Sequence, residues 1–114
     1  KSGAMVMVPD YPLLPVGNYS TMMAAAKSAL LWLSHNGPWD ECKHRRHPPI
    51  LVGGDSAGGG TALSLILEVK KNPESFKMSP DDRTGRVIAG GFFFSPWTNL
   101  VCDTPDYYHH AFAK

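Results

Sequence analysis

The sequence has few of the features that mark a membrane protein, a nucleic-acid-binding protein or a disulfide-rich domain. None of its apolar runs approaches the roughly 20 residues that a membrane-spanning helix needs. Eleven lysines and arginines against ten acidic residues give a formal charge of +1, without a basic stripe or an acidic tail. A nucleic-acid partner or a strongly charged partner is therefore not expected. Two cysteines, Cys42 and Cys102, are too few for a disulfide framework, so we expect free thiols in a reducing compartment.

The length of the chain allows at most one small domain. Its 114 residues are 43% hydrophobic, and a chain of this size can bury a core. Strand-like sequence begins within three residues of Lys1, and Lys114 lies in a segment with helical character. We therefore expect residues 1–114 to form a single partial domain of a longer protein, so that the lack of a targeting signal carries no weight.

Apolar runs, helical periodicity and turn residues alternate along the chain and predict three strands and three helices. The predicted strands are 4–9, 49–54 and 87–94, and the predicted helices are 19–35, a segment ending at Lys71, and one starting near Thr104-Pro105. Ser20 is the expected cap of the first helix. The order strand, helix, strand, helix, strand is typical of an α/β protein with parallel strands and right-handed crossovers.

The second predicted helix is apolar over most of its surface. Its polar residues form one narrow stripe of Thr61, Ser64, Glu68 and Lys71. A helix of this kind packs against something large, such as a sheet.

The most informative segment joins the second strand to that helix. Gly54-Asp55-Ser56-Ala57-Gly58 is a G-x-S-x-G pattern between an apolar run and a helix. A serine on a sharp turn between strand and helix has an exposed hydroxyl that can attack a carbonyl carbon. Small residues on both sides are needed because such a turn is strained and neighbouring backbone passes close by. The pattern predicts a catalytic nucleophile at Ser56.

Two other kinds of glycine-rich site fit less well. A phosphate-binding loop also joins a strand to a helix, but the Gly-Lys-Ser/Thr and G-x-G-x-x-G patterns are absent. A Gly-Asp-Ser-Gly-Gly sequence occurs in chymotrypsin-like proteases, where an all-β barrel has no helix after the serine. The helical run 61–71 argues against that alternative.

Four segments in order resemble the α/β-hydrolases of the hormone-sensitive lipase type. Gly54-Asp55-Ser56-Ala57-Gly58-Gly59 matches the nucleophile signature of that family. Residues 10–15 resemble its Asp-Tyr-Arg-Leu-Ala-Pro segment, with Pro12 and Leu14 departing from it, and Trp32-Leu33 falls where the family often has Trp-Leu. Residues 95–100 resemble its Ser-Pro-Trp-Thr-Asp-Leu, with Asn99 in place of Asp. The resemblance implies part of a doubly wound, mostly parallel α/β-hydrolase sheet.

The resemblance also implies roles for residues of the serine turn. Ser56 would form an acyl-enzyme with a small to medium acyl or aryl ester, and the backbone N–H of Ala57 would donate to the oxyanion. Gly54, Asp55, Gly58 and Gly59 would shape the turn. Trp97 is a candidate for lining the acyl pocket, whereas buried strand packing is the preferred interpretation of Phe92 to Phe94. No metal and no organic cofactor are needed for this chemistry.

The resemblance implies that the other parts of the catalytic machinery lie before and after the four matched segments in the family sequence. Its His-Gly-Gly-Gly loop precedes the first segment seen here, and its triad acid and histidine follow later strands. Asp103 or Asp106 with His109 or His110 would reproduce the order of a triad. However, Asp106 and His109 lie three residues apart at a helix start, where a surface pair is expected. Residues 42–47 fit no zinc pattern and are interpreted as a solvated loop.

Two alternatives to an active esterase follow from the same sequence. One is a small-molecule receptor with this fold that kept the serine and lost the histidine. The other is an inactive truncated product, because the family sheet places another strand between those resembling 4–9 and 49–54. On that ground we expect the 114-residue chain alone to be poorly folded and to lack esterase activity.

Overall fold

The computed structural model describes residues 3–37, 48–76 and 88–112. In this part of the chain, the helices are α1 (Tyr19–Asn36), α2 (Ala57–Lys71) and α3 (Pro105–Phe112), with a 3-10 turn at Pro73–Phe76. The strands are β1 (Ile50–Asp55) and β2 (Ile88–Phe94), which pair in parallel. Helix α2 therefore connects two neighbouring parallel strands, and the predicted α/β arrangement is confirmed.

The register of the two strands brings their carboxyl ends to the same level. Ile50 lies opposite Ile88 and Leu51 opposite Gly90, so Ala89 is an extra residue on β2. After this irregularity the strands stay in step up to Asp55 opposite Phe94. The segments that leave the two strands are therefore neighbours at one edge of the sheet, where ligands bind in open α/β folds.

One face of the sheet is covered by α2. The buried core consists of residues from α1, α2, β1 and the 3-10 turn, namely Leu30, Ile50, Leu65, Val69 and Phe76. Val52 and Ile88 pack against this cluster from the strands. Burial of these side chains is what holds α2 against the sheet, at about 1.5–3 kcal/mol for each large aliphatic or aromatic side chain.

The opposite face of the sheet is open, which corrects the expectation of buried strand packing at Phe92 and Phe94. Leu51 is 65% exposed, and Phe92 and Phe94 are 51% and 64% exposed. Their rings lie 6.0 Å apart, and Phe92 covers the backbone of Gly53. Side chains alternate between the faces of a strand, and only one face has a helix on it within the described residues. The assignment of Phe92 and Phe94 to buried packing is wrong for this structure.

The strand predicted over 4–9 is not formed. Residues 3–10 lie outside any helix or strand, and Met5, Val6 and Val8 are 78–84% exposed. A strand requires backbone pairing with a neighbour, and in the described ranges β1 and β2 pair only with each other. The apolar pattern alone therefore does not order this segment.

Helix α1 is capped by Asn18 and not by Ser20, which corrects the predicted cap. The Asn18 side chain accepts a hydrogen bond from the Thr21 N–H at 3.0 Å, and the Thr21 hydroxyl accepts one from the Asn18 N–H at 2.8 Å. Ser20 already has helical backbone, so its side chain is not in the capping position. At the other end, Nδ1 of His35 lies 2.7 Å from the carbonyl oxygen of Leu31.

The polar stripe of α2 faces α1. Tyr19 donates a hydrogen bond to the Ser64 hydroxyl at 2.9 Å, and Lys27 forms a 2.8 Å ion pair with Glu68. Thr61 is buried and donates to the carbonyl oxygen of Ala57 at 2.9 Å. Polar contacts thus orient α1 on α2, and α2 in turn fixes the position of Ser56.

The Lys27–Glu68 pair gives a pH-dependent prediction. The hydrogen bond from Lys27 and the positive charge of its ammonium group lower the pKa of the Glu68 carboxyl from its ordinary value. A lowered folded-state pKa stabilises the protein above the ordinary carboxyl pKa, and this contribution is lost as the pH falls. In an NMR titration, Lys27→Met should raise the pKa of Glu68. The matched variant Lys70→Met should leave it unchanged, and an equal rise in both variants would contradict the assignment.

Some sequence predictions fall outside the described residues. The polar cluster 42–47 belongs to this group, as does residue 87, the first of the strand predicted over 87–94. Among the residues that are described, no helix is both long and apolar enough to cross a bilayer.

Candidate active site

Ser56 occupies a sharp turn between β1 and α2. β1 ends at Asp55, α2 begins at Ala57, and Ser56 alone joins them with φ 54° and ψ −119°. A positive φ is unfavourable for a residue with a side chain, and such conformations cost about 1–3 kcal/mol each. The strand-to-helix turn predicted from the sequence is present, with its strain concentrated at the serine.

Backbone hydrogen bonds hold Ser56 in this conformation from two elements. Its N–H donates to the carbonyl oxygen of Phe94 at 2.9 Å, which continues the pairing of β1 with β2. Its carbonyl oxygen accepts from the N–H of Gly60 at 3.1 Å and from the N–H of Trp97 at 2.9 Å. The segment after β2 is therefore attached directly to the serine turn.

The glycines of the turn are not equivalent. A β-carbon on Gly54 would overlap the backbone carbonyl of Gly58 and lie 2.8 Å from the nitrogen of Gly59. A β-carbon on Gly60 would overlap the carbonyl oxygen of Trp97, and one on Gly59 would lie 3.0 Å from Pro96. At Gly58, in contrast, a β-carbon would meet nothing within 4 Å. Close backbone approach requires glycine at Gly54 and Gly60, and the space at Gly58 is open.

The Ser56 hydroxyl is exposed and uncommitted in the described part of the chain. Although Ser56 is the residue before α2, its side chain makes no capping hydrogen bond. Serine at such a position ordinarily caps the helix. Here the positive φ directs the chain so that the hydroxyl is available to an incoming molecule.

The N–H of Ala57 is the first of α2. The first N–H groups of a helix have no intrahelical partner, and no described residue accepts a hydrogen bond from this one. The start of the helix also carries positive dipole character. The arrangement can stabilise a negative oxygen beside Ser56.

Asp55 does not brace the turn through its side chain. It is exposed, and its carboxylate has no hydrogen-bond or ion-pair partner within residues 3–37, 48–76 and 88–112. As the last residue of β1 it shares the open face of the sheet with Leu51. Backbone contacts hold the turn in its place.

The segment after β2 contains Asn99, which the sequence shows as a departure from the family pattern but to which it assigns no role. The indole N–H of Trp97 donates to the backbone carbonyl oxygen of Asn99 at 2.9 Å, and Trp97 is 47% exposed. The Asn99 side chain donates to a carboxylate oxygen of Asp103 at 2.9 Å. The departure of Asn99 from the Asp of the family pattern was the available signal.

The start of α3 is attached to the same segment. The pKa of the Tyr107 phenol is raised because its hydroxyl hydrogen-bonds to Cys102 and lies near that thiol. The Thr104 hydroxyl accepts from the N–H of Tyr107 at 3.4 Å, at the start of the helix that the sequence predicts near Thr104-Pro105.

No described histidine or carboxylate hydrogen-bonds to Ser56. The exposed rings of His109 and His110 lie 5.2 Å apart and contact each other edge to face. Two surface depressions have volumes of about 600 and 350 Å³. The first is lined by residues of the segment 10–16 and the second by residues of α1 and α2, so neither adjoins Ser56. In the ranges that the structure describes, no group of three His, Cys, Asp or Glu side chains is arranged to hold a metal ion.

Comparison with known proteins identifies a family that the chain matches. The sequence model of a protein family described as alpha/beta hydrolase fold matches residues 1–114. No curated protein and no solved structure matches the chain significantly.

Proposed function

Because the chain belongs to the alpha/beta hydrolase fold family that contains the hormone-sensitive lipase-like esterases, we propose that it hydrolyses carboxylic esters through Ser56. The observation that carries the proposal is the conformation of Ser56. This residue has a positive φ, an exposed hydroxyl without a capping bond, and a place between a parallel strand and a helix. Those are the features that a serine nucleophile of this fold needs.

The proposed reaction begins with attack of the Ser56 hydroxyl oxygen on the ester carbonyl carbon. The oxygen of the tetrahedral intermediate lies beside the N–H of Ala57, and one such donor is worth about 3 kcal/mol. Collapse of the intermediate breaks the bond to the alcohol and leaves an acyl group on Ser56. Attack of water on this acyl-enzyme releases the carboxylic acid and restores the serine.

The proposal requires a general base that takes the hydroxyl proton and returns it to the leaving alcohol. The resemblance assigns this role to a histidine that lies further along the family sequence, oriented by an acid. The strain at Ser56 supports the proposal because backbone in a sparsely populated conformation persists where surrounding contacts fix it, as at active sites.

Trp97 is proposed to contact the acyl or alcohol part of the substrate. Its backbone N–H donates a hydrogen bond to the carbonyl oxygen of Ser56, and the residue is about half exposed. An aromatic surface beside the nucleophile suits small to medium acyl or aryl esters.

The full-length protein tests this function with p-nitrophenyl esters of increasing acyl length. We expect hydrolysis of the short and medium esters with saturation kinetics, and much slower turnover of the matched p-nitroanilides. Saturable binding of these esters without release of p-nitrophenol would contradict the proposal and favour a receptor.

A further inference from the structure

The segment from Ser95 to Asp103 follows β2 without helix or strand, yet one side chain fixes its path. Oδ1 of Asn99 accepts hydrogen bonds from the N–H groups of Val101 at 3.1 Å and Cys102 at 3.2 Å. Nδ2 of Asn99 donates to Oδ1 of Asp103 at 2.9 Å. Both ends of one amide are therefore used, as acceptor and as donor.

The backbone of Asn99, whose path this side-chain amide fixes, is connected to the nucleophile through Trp97. The backbone carbonyl oxygen of Asn99 accepts from the Trp97 indole N–H at 2.9 Å, and the Trp97 backbone N–H donates to the Ser56 carbonyl oxygen at 2.9 Å. The carbonyl oxygen of Trp97 also packs against Gly60 at the start of α2. Trp97 therefore contacts both the carbonyl oxygen of Ser56 and the first turn of the helix that follows Ser56.

The backbone of the segment is strained at both ends. Ser95 has φ 42° and Cys102 has φ 56°, and neither residue is glycine. Such conformations persist only where other contacts determine them. Asn99 supplies one of these contacts at Cys102, since it accepts the Cys102 N–H.

We propose that Asn99, paired with Asp103, is a positioning residue for Ser56. The inference rests on the proposed function and adds to it a residue that does not touch the reacting atoms. The role requires an amide, because an aspartate could still accept the two N–H groups but would place a second carboxylate against Asp103.

The test is a charge-swap cycle in the full-length protein. Asn99→Asp should lower kcat for a p-nitrophenyl ester about tenfold, because misplacement of the nucleophile slows acylation, with KM changed less than about twofold. Asp103→Asn should have little effect because an amide can still accept from Asn99. The double variant N99D/D103N should restore kcat to within about threefold of the wild type, because the donor and the carboxylate have exchanged places.

Asn72→Asp provides the matched control. It makes the same change of charge at the end of α2, where Asn72 lies remote from Ser56 in sequence, and it should leave kcat unchanged. If N99D fails to fold, the double variant should regain both its thermal midpoint and its kcat.

The proposal is overturned if N99D keeps the wild-type kcat, if only its thermal midpoint falls, or if D103N does not rescue it. An equal loss of kcat in N72D would likewise overturn it, because the loss would then be a general effect of added negative charge. These outcomes are separate from failure of the proposed function, in which the wild type would lack turnover or Ser56→Ala would retain it.

Discussion

Ser56→Ala is expected to lower kcat/KM for p-nitrophenyl esters in the full-length protein by about 10⁴-fold or more. Alanine keeps the β-carbon and the backbone contacts of the turn but removes the only atom that forms the acyl-enzyme. Steady-state hydrolysis of a medium-chain ester measures the loss, and circular dichroism establishes that the variant is folded.

Ser20→Ala is the matched control for that loss. Ser20 is exposed in the first turn of α1, and Asn18 caps that helix in its place. The control should retain wild-type kcat/KM. Wild-type hydrolysis by Ser56→Ala would contradict the proposed nucleophile.

Gly54→Ala is expected to destabilise the protein by about 3 kcal/mol. The added methyl group would overlap the backbone of Gly58, and backbone cannot rotate away as a flexible side chain can. Relief of the overlap requires β1 and the start of α2 to separate, which also moves Ser56. Urea denaturation of the full-length protein measures the change in the free energy of unfolding.

Gly58→Ala is the control for that substitution. The same methyl group would point into open space on α2, where replacing glycine with alanine stabilises a helix by up to about 1 kcal/mol. A loss of stability at Gly58 equal to that at Gly54 would contradict the account of close backbone packing.

The serine turn and the elements around it could be predicted because their signals are local. Helical periodicity gave residues 19–35, against α1 at Tyr19–Asn36, and the apolar run 49–54 corresponds to β1 at Ile50–Asp55. The glycines around Ser56 indicated a close approach of backbone, and the structure shows such an approach at Gly54. The family match to residues 1–114 confirms the resemblance drawn from four short segments.

Burial could not be predicted from the same signals. The apolar residues of 4–9 and the alternating Phe92 and Phe94 have the pattern of buried strands, but they are exposed. An apolar pattern shows that a surface favours burial, while burial itself depends on which other element lies against it. The pattern therefore predicts β2 and leaves open which of its faces is covered.

The roles of Asn18 and Asn99 depend on side-chain geometry that spacing does not reveal. Ser20 and Asn18 are both good capping residues, and only the backbone conformation decides which one precedes the first helical residue. The sequence shows Asn99 only as a departure from the family pattern, and its role follows from the 2.9 Å distance between its amide nitrogen and a carboxylate oxygen of Asp103.

Covalent labelling shows whether Ser56 is the serine that reacts. The full-length protein is treated with a fluorophosphonate that traps activated serines, and the modified peptide is located by mass spectrometry. We expect a single phosphonate adduct on Ser56, formed in parallel with loss of ester hydrolysis and absent from Ser56→Ala. Loss of hydrolysis with the adduct on another residue, or full hydrolysis with Ser56 completely modified, would contradict it.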